Sequence, residues 1–131
     1  MIDIQIQKRQ GDFFIDFELG VSDVGITALY GPSGAGKTSI VNMVAGLIRP
    51  DAGYIIVNHR TLFDSKKGIH LPPEQRGIGY IFQDGRLFPH LSVRRNLVYG
   101  MRFTPKRERV VTFDQVVGLL GIEAILERRP A

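Results

Sequence analysis

A chain of 131 residues with 44% apolar and 23% charged residues has the length of one domain and the composition of a globular fold, too apolar for a disordered segment. It contains no cysteine, which excludes thiolate metal sites, thiol nucleophiles and disulfide frameworks. Seventeen Lys and Arg stand against thirteen Asp and Glu, an excess of +4 that fits either an anionic partner or ordinary solubilising charge.

The basic residues gather at Arg94-Arg95 and over 106–109, with no aromatic stacking platform interleaved, so no nucleic-acid partner is expected. Met1-Ile2-Asp3 leads into alternation, not into the continuous apolar run of a signal peptide. The most apolar helical stretch, 40–48, falls well short of the roughly 20 residues that span a bilayer. Any membrane role is therefore expected to run through a partner.

In chain order, Ile2, Ile4 and Ile6 alternate as in a half-buried strand. Gln10-Gly11-Asp12 marks a turn, and Phe13, Ile15, Phe17 and Leu19 alternate again, which predicts an antiparallel pair. The nearly continuous apolar run 25–30 predicts a strand covered on both faces. Next comes the glycine-rich stretch Gly31-Pro32-Ser33-Gly34-Ala35-Gly36. Ile40, Val41, Val44, Ala45 and Ile48 then share one helical face, and Arg49-Pro50-Asp51-Ala52-Gly53 is expected to end that helix. A strand is predicted over 54–57, polar turns over 58–76, and a second short strand over 78–82. Ser92 is a candidate N-cap for a helix through Tyr99, and helices are predicted over 113–120 and 122–128. The sequence shows no internal repeat, and the element order points to an α/β or mixed α+β fold.

Gly31-Pro32-Ser33-Gly34-Ala35-Gly36-Lys37-Thr38 matches Gly-x4-Gly-Lys-[Ser/Thr], between a predicted strand and a predicted helix. Binding a polyphosphate requires several backbone N–H groups aimed at one point, which glycine-rich backbone permits. The following helix adds its unsatisfied N–H groups and positive dipole end. Lys37 is placed to reach the β- and γ-phosphates, Thr38 to offer a hydroxyl to Mg²⁺, and Ser39 to bond a phosphate oxygen. A nucleotide polyphosphate and Mg²⁺ are the expected ligands, and the loop alone does not choose among GTPases, small-molecule kinases, helicases and transport ATPases. His59, His70 and His90 lack metal-ligand spacing, and Glu123 with Glu127 reads as a solvated face.

The loop continues into Thr38-Ser39, and Ala45-Gly46-Leu47-Ile48-Arg49-Pro50-Asp51-Ala52-Gly53-Tyr54-Ile55 comes after it; later stands Tyr80-Ile81-Phe82-Gln83. Together these strings resemble the ATP-binding subunits of ABC transporters along the whole chain. The resemblance implies a P-loop NTPase core of the ABC ATPase type with an N-terminal antiparallel β subdomain. It places that core and β subdomain over 1–90 and the start of a helical subdomain over 91–131, within a partial nucleotide-binding domain covering 1–131.

Within the family, the run from Arg76 to His90 and Val93-Arg94-Arg95-Asn96-Leu97-Val98-Tyr99-Gly100-Met101 resemble the ATPase subunits of molybdate importers, with importers of sulfate, maltose or iron as the alternative. The same resemblance implies roles for individual residues. Gln83 would sense the γ-phosphate and attacking water through Mg²⁺, and Phe13 would stack on adenine, with Phe14 on the opposite strand face. The segment 86–95 would lie near the surface that receives the membrane subunit. The implied partners are a second copy of the subunit and transmembrane permease subunits, at the cytoplasmic face of the inner membrane. No Ser-Gly-Gly string occurs, and 110–114 is a poor match to an apolar strand ending in a metal-linked Asp with Glu after it. The chain therefore reads as an N-terminal fragment that binds nucleotide, has little turnover by itself, and leaves its P-loop strand without a parallel neighbour.

Overall fold

The computed structural model describes residues 1–22 and 24–130. They form two compact units, Met1–Tyr80 and Ile81–Ala131. The first is built on a hairpin of β1 (Ile2–Gln10) and β2 (Phe13–Val21), in which Gln10 faces Phe13 across a turn carrying Gly11 at φ 59°. On its other side β1 pairs with β3 (Ala52–Val57), and β4 (Arg60–Asp64) and β5 (Ile69–His70) lie further out. The order is β2-β1-β3-β4-β5, antiparallel at every junction.

Period-two alternation explains which face is dry. Ile4 and Ile6 of β1, Ile15 of β2 and Ile55 of β3 are buried, and Ile4 lies directly opposite Ile55. Helix α1 (Lys37–Ala45) contributes Ile40 and Met43 to this cluster, and β4 contributes Leu62 and Phe63. Met43, not Val41, fills the centre: Met43 is fully enclosed, while Val41 is 45% exposed.

The runs 25–30 and 78–82, both expected as strands, are not strands. A strand places its backbone N–H and C=O groups on a neighbouring strand, and among the described residues the sheet consists of β1 to β5, with neither run a member. Ile26, Tyr30 and Ile81 are accordingly almost wholly exposed. The stretch 58–76 is more regular than its polarity implied, since it holds β4, β5 and the short helix α2 (Pro73–Arg76). Asn58 and His59 both adopt positive φ, 48° and 63°, and link Val57 to Arg60 as a two-residue hairpin loop. Helix α1 stops at Gly46, whose φ of 86° lets its N–H turn back to Asn42 and Met43, before the proline is reached. Over 122–128 the only helical piece among the described residues is a 3₁₀ turn, Glu123–Ile125.

The second unit holds α3 (Val93–Tyr99) and α4 (Phe113–Leu120). Ser92 caps α3 by accepting from the Arg95 N–H, and Thr112 with Gln115 forms a capping box on α4. Asn96 organises the loop before α3: its Oδ1 accepts from the Phe88 N–H at 2.8 Å, and its Nδ2 donates to the carbonyls of Phe88, Leu91 and Ser92. Arg94 ties the end of the chain to α3 through Glu127 at 2.6 Å.

Candidate nucleotide-binding site

The loop 31–36 leads directly into α1. Gly34 and Gly36 have φ of 81° and 88°, which side-chain-bearing residues rarely adopt. No side chain caps the helix start at Gly36. The first N–H groups of any helix lack intrahelical acceptors, so this end presents donors and the positive end of the dipole to an anion.

Lys37 is the first residue of α1, and its ammonium folds back over the loop, donating to the carbonyls of Gly31 at 2.7 Å and Pro32 at 2.6 Å. An ammonium has three donors, so two hold the loop in shape and one remains for a phosphate oxygen. Thr38 is exposed beside it. Ser39 Oγ donates to Gln10 Oε1 at 2.9 Å, tying α1 to the tip of the hairpin. A phosphate bond from Ser39 therefore competes with Gln10, a residue the sequence did not single out.

Phe13 opens β2 and lies against the loop: a Cβ placed on Gly36 would sit 3.1 Å from Phe13 Cε1 and 3.2 Å from Ile15 Cδ1. Ile15 is buried beneath the loop while Phe13 stays 44% exposed, so one ring face is available to a flat ligand. Phe14 points to the other face of the strand, where the Arg9 guanidinium lies 5.4 Å from its ring centre. Gln83 lies in the second unit, exposed in a bend three residues after Tyr80.

Among the described residues, no group of three or more His, Asp or Glu gathers that could bind a metal through protein ligands alone. A hydroxyl beside a phosphate loop fits a cation that takes one protein oxygen, phosphate oxygens and water, as Mg²⁺ does.

The second unit carries a separate feature, a cavity of about 710 Å³ lined by His90, Arg95, Tyr99, Arg102 and Arg109 among others. Among the described residues, no Asp or Glu stands on that lining. Phe88, Tyr99 and Phe103 form a row of rings, 4.5 Å and 5.9 Å between successive centres. Aromatic and basic residues thus share this unit, with Phe88 between Arg86 and Arg94 and Tyr99 between Arg95 and Arg102 in sequence. Residues 81–131 hold nine Lys and Arg against five Asp and Glu, while 1–80 hold eight of each, so the second unit carries the whole charge excess. No described helix is long and apolar enough to cross a membrane.

An antiparallel sheet backing a glycine-rich loop and its helix is found in ATP-binding cassettes. The chain belongs to the ABC transporter family, whose model matches residues 15–131. Among curated relatives it is 58% identical over its full length to the molybdenum import ATP-binding protein ModC of Paramagnetospirillum magneticum and 56% identical to that of Rhodospirillum rubrum, and it spans 36% and 35% of their lengths. The ModC of Mesorhizobium japonicum is 52% identical over 98% of this chain. The chain thus covers about a third of the curated relatives it matches. Among solved structures, a dimeric ATP-binding cassette in a post-hydrolysis state bound to ADP and phosphate superposes with a TM-score of 0.70 at 19% identity, over 99% of this chain and 62% of that one. That likeness establishes the fold.

Proposed function

We propose that this chain is the nucleotide-binding portion of the ATP-binding subunit of a molybdate importer. The observation that carries the reading is the loop 31–36 feeding α1, with Lys37 folded across it and Phe13 exposed at its edge. Gly31, Ser33, Gly34, Ala35 and Gly36 offer backbone N–H groups to the phosphates, Pro32 fixes the turn between them, and Lys37 supplies the positive charge that a flexible stem can carry from β- to γ-phosphate. Phe13 stacks on the adenine. Ser39 reaches phosphate when it releases Gln10. Thr38 and Gln83 hold the Mg²⁺, which neutralises phosphate charge when bound.

The substrate assignment rests on relatives named for molybdenum import. The proposed partners are a second copy of the subunit and transmembrane permease subunits, which keep the protein at the cytoplasmic face of the inner membrane. Residues 1–90 are the P-loop core and β subdomain in this reading, and 91–131 begin the helical subdomain. The basic cavity of the second unit supports an anionic partner surface on that side. The chain by itself is a nucleotide binder with little turnover, because hydrolysis also needs a group that orients and activates water.

The test is calorimetric titration of the chain with Mg-ATP, repeated on Lys37→Ala. Saturable heat that is lost in the variant supports the reading. Equal heat in both chains, or none in the unsubstituted one, refutes it.

A further inference from the structure

Helix α3 and the 3₁₀ turn Gly100–Arg102 that continues it set Arg95, Val98, Tyr99 and Arg102 on one face, since helical residues three and four apart are neighbours. All four line the cavity of about 710 Å³ in the second unit. Its other walls are fastened to that face from within the same unit. Asn96 holds the loop that carries His90 and Leu91, through its bonds to Phe88, Leu91 and Ser92. The Phe88 ring packs against His90 at 5.9 Å and Tyr99 at 4.5 Å. Arg109 folds back on the helix end, its Nε donating to the Thr104 carbonyl at 3.1 Å and its Nη2 to the Met101 carbonyl.

The guanidinium groups of Arg95, Arg102 and Arg109 thus share one lining with His90. Among the described residues, the side chains of Arg95 and Arg102 make no ion pair. Glu127, on an adjoining cavity of about 270 Å³ that His90 and Arg95 also line, is paired with Arg94 at 2.6 Å. The two carbonyl bonds of Arg109 fix the plane of its guanidinium and leave its remaining N–H groups to donate elsewhere. Like charges gathered in one place repel, and an anion seated among them removes that repulsion.

A carboxylate brings two oxygens and one charge, whereas a phosphate monoester brings three oxygens and up to two charges to several guanidinium forks. Leu91, Val98 and Met101 add apolar surface to the same lining, which suits an anion carrying an apolar body. The volume of about 710 Å³ lies within the roughly 300–1,000 Å³ of small-molecule sites. We propose that this cavity binds a phosphate monoester with an apolar body, either the headgroup region of phosphatidic acid or a soluble organic phosphate. The proposal is independent of the nucleotide reading, since the phosphate loop belongs to the other unit.

The chain is titrated calorimetrically with dihexanoyl phosphatidic acid, phenyl phosphate, dihexanoyl phosphatidylcholine and a hexaglutamate peptide. It is also sedimented with phosphatidylcholine vesicles that contain or lack phosphatidic acid. Saturable binding of a phosphate monoester is expected, with none of phosphatidylcholine. Arg95→Gln with Arg102→Gln removes two lining charges that hold no ion pair, and is expected to weaken that binding by about tenfold or more. Lys106→Gln with Arg107→Gln removes the same charge from exposed residues off the lining, and is expected to change it by less than about twofold. Circular dichroism checks folding, and Arg102→Gln alone serves if the double lining variant fails to fold. Binding that follows phosphatidic acid onto vesicles supports the membrane source; binding of phenyl phosphate without vesicle binding supports the soluble one. Absence of both, or equal losses in the two double variants, overturns the proposal. Tighter binding of hexaglutamate than of either phosphate monoester overturns it in favour of an acidic protein surface.

Discussion

Phe13 and Gly36 touch across the junction of hairpin and phosphate loop, so closely that a Cβ on Gly36 would stand 3.1 Å from the phenyl ring. The loop backbone is thus seated on an aromatic ring whose outer side is exposed. Phe13→Ala is expected to weaken ATP binding by about five- to 150-fold, since stacking of a base on an aromatic ring is worth about 1–3 kcal/mol. Inorganic tripolyphosphate, which has no base, is expected to bind equally well to both chains. An equal loss for both ligands, measured by calorimetry, would show that Phe13 only supports the loop.

The same contact makes Gly36→Ala a test of loop geometry. The left-handed conformation costs an alanine about 1–2 kcal/mol, and its methyl group also meets Phe13 and Ile15. The expected result is lost nucleotide binding with a smaller fall in urea midpoint. Unchanged ATP affinity would mean that the loop binds in another backbone shape.

Met43 is the point where α1 locks onto the sheet, fully buried among Ile4, Ile6, Ile55 and Phe63. Met43→Ala is expected to cost about 2–5 kcal/mol of unfolding free energy, and Val41→Ala about 0.5 kcal/mol or less, because Val41 is largely exposed. Urea titrations monitored by circular dichroism compare them directly. Similar costs would place the helix in a different rotation about its axis.

Asp51 clips the turn after α1 to β1. Its carboxylate accepts from the Arg9 N–H at 2.8 Å and pairs with the Lys8 ammonium at 2.8 Å, and these two bonds, the backbone one foremost, hold its pKa below the ordinary aspartate value. A carboxylate with a lowered folded pKa contributes stability that is present above the unfolded pKa of about 3.9 and disappears as pH falls through the folded value. Asp51→Asn is therefore expected to be less stable than the parent at pH 7, with the difference shrinking below about pH 4. A difference that stays constant down to about pH 2 would assign the effect to side-chain geometry instead of charge.

The exposed apolar side chains of 25–30 and 78–82 make a further prediction. Ile26 and Tyr30 in one, and Ile81 in the other, present almost wholly exposed apolar side chains. The chain is expected to self-associate as its concentration rises, and Ile26→Lys together with Ile81→Lys is expected to reverse this. Sedimentation velocity reads both; a parent chain that stays monomeric at high concentration defeats the expectation.

The hairpin was legible because Ile2, Ile4 and Ile6 and then Phe13, Ile15, Phe17 and Leu19 state their faces in strict alternation. The helix start at Ser92 was legible through its cap, for which a short polar side chain before an apolar period is a local signal, whereas the capping box of Thr112 was not singled out. The runs 25–30 and 78–82 misled because apolarity announces burial without naming the partner. The β3–β4 loop was hidden because Asn58-His59 supplies positive φ without a glycine. In the candidate site, the Lys37 loop could be read from spacing alone. Gln10 could not, since it acts on Ser39 through a contact made by chain folding over 29 residues of separation.

The neutrality of residues 1–80 has a kinetic consequence. The unit that holds the phosphate loop carries no net charge with which to draw a polyanion in from a distance. Capture there depends on one ammonium and a cluster of N–H dipoles, whose field dies within a few ångströms. Nucleotide on-rates are thus expected to respond weakly to ionic strength, whereas encounters through the cationic unit slow steeply once the Debye length drops below about 10 Å. A single salt titration, read in stopped flow, can tell which unit a given ligand meets first.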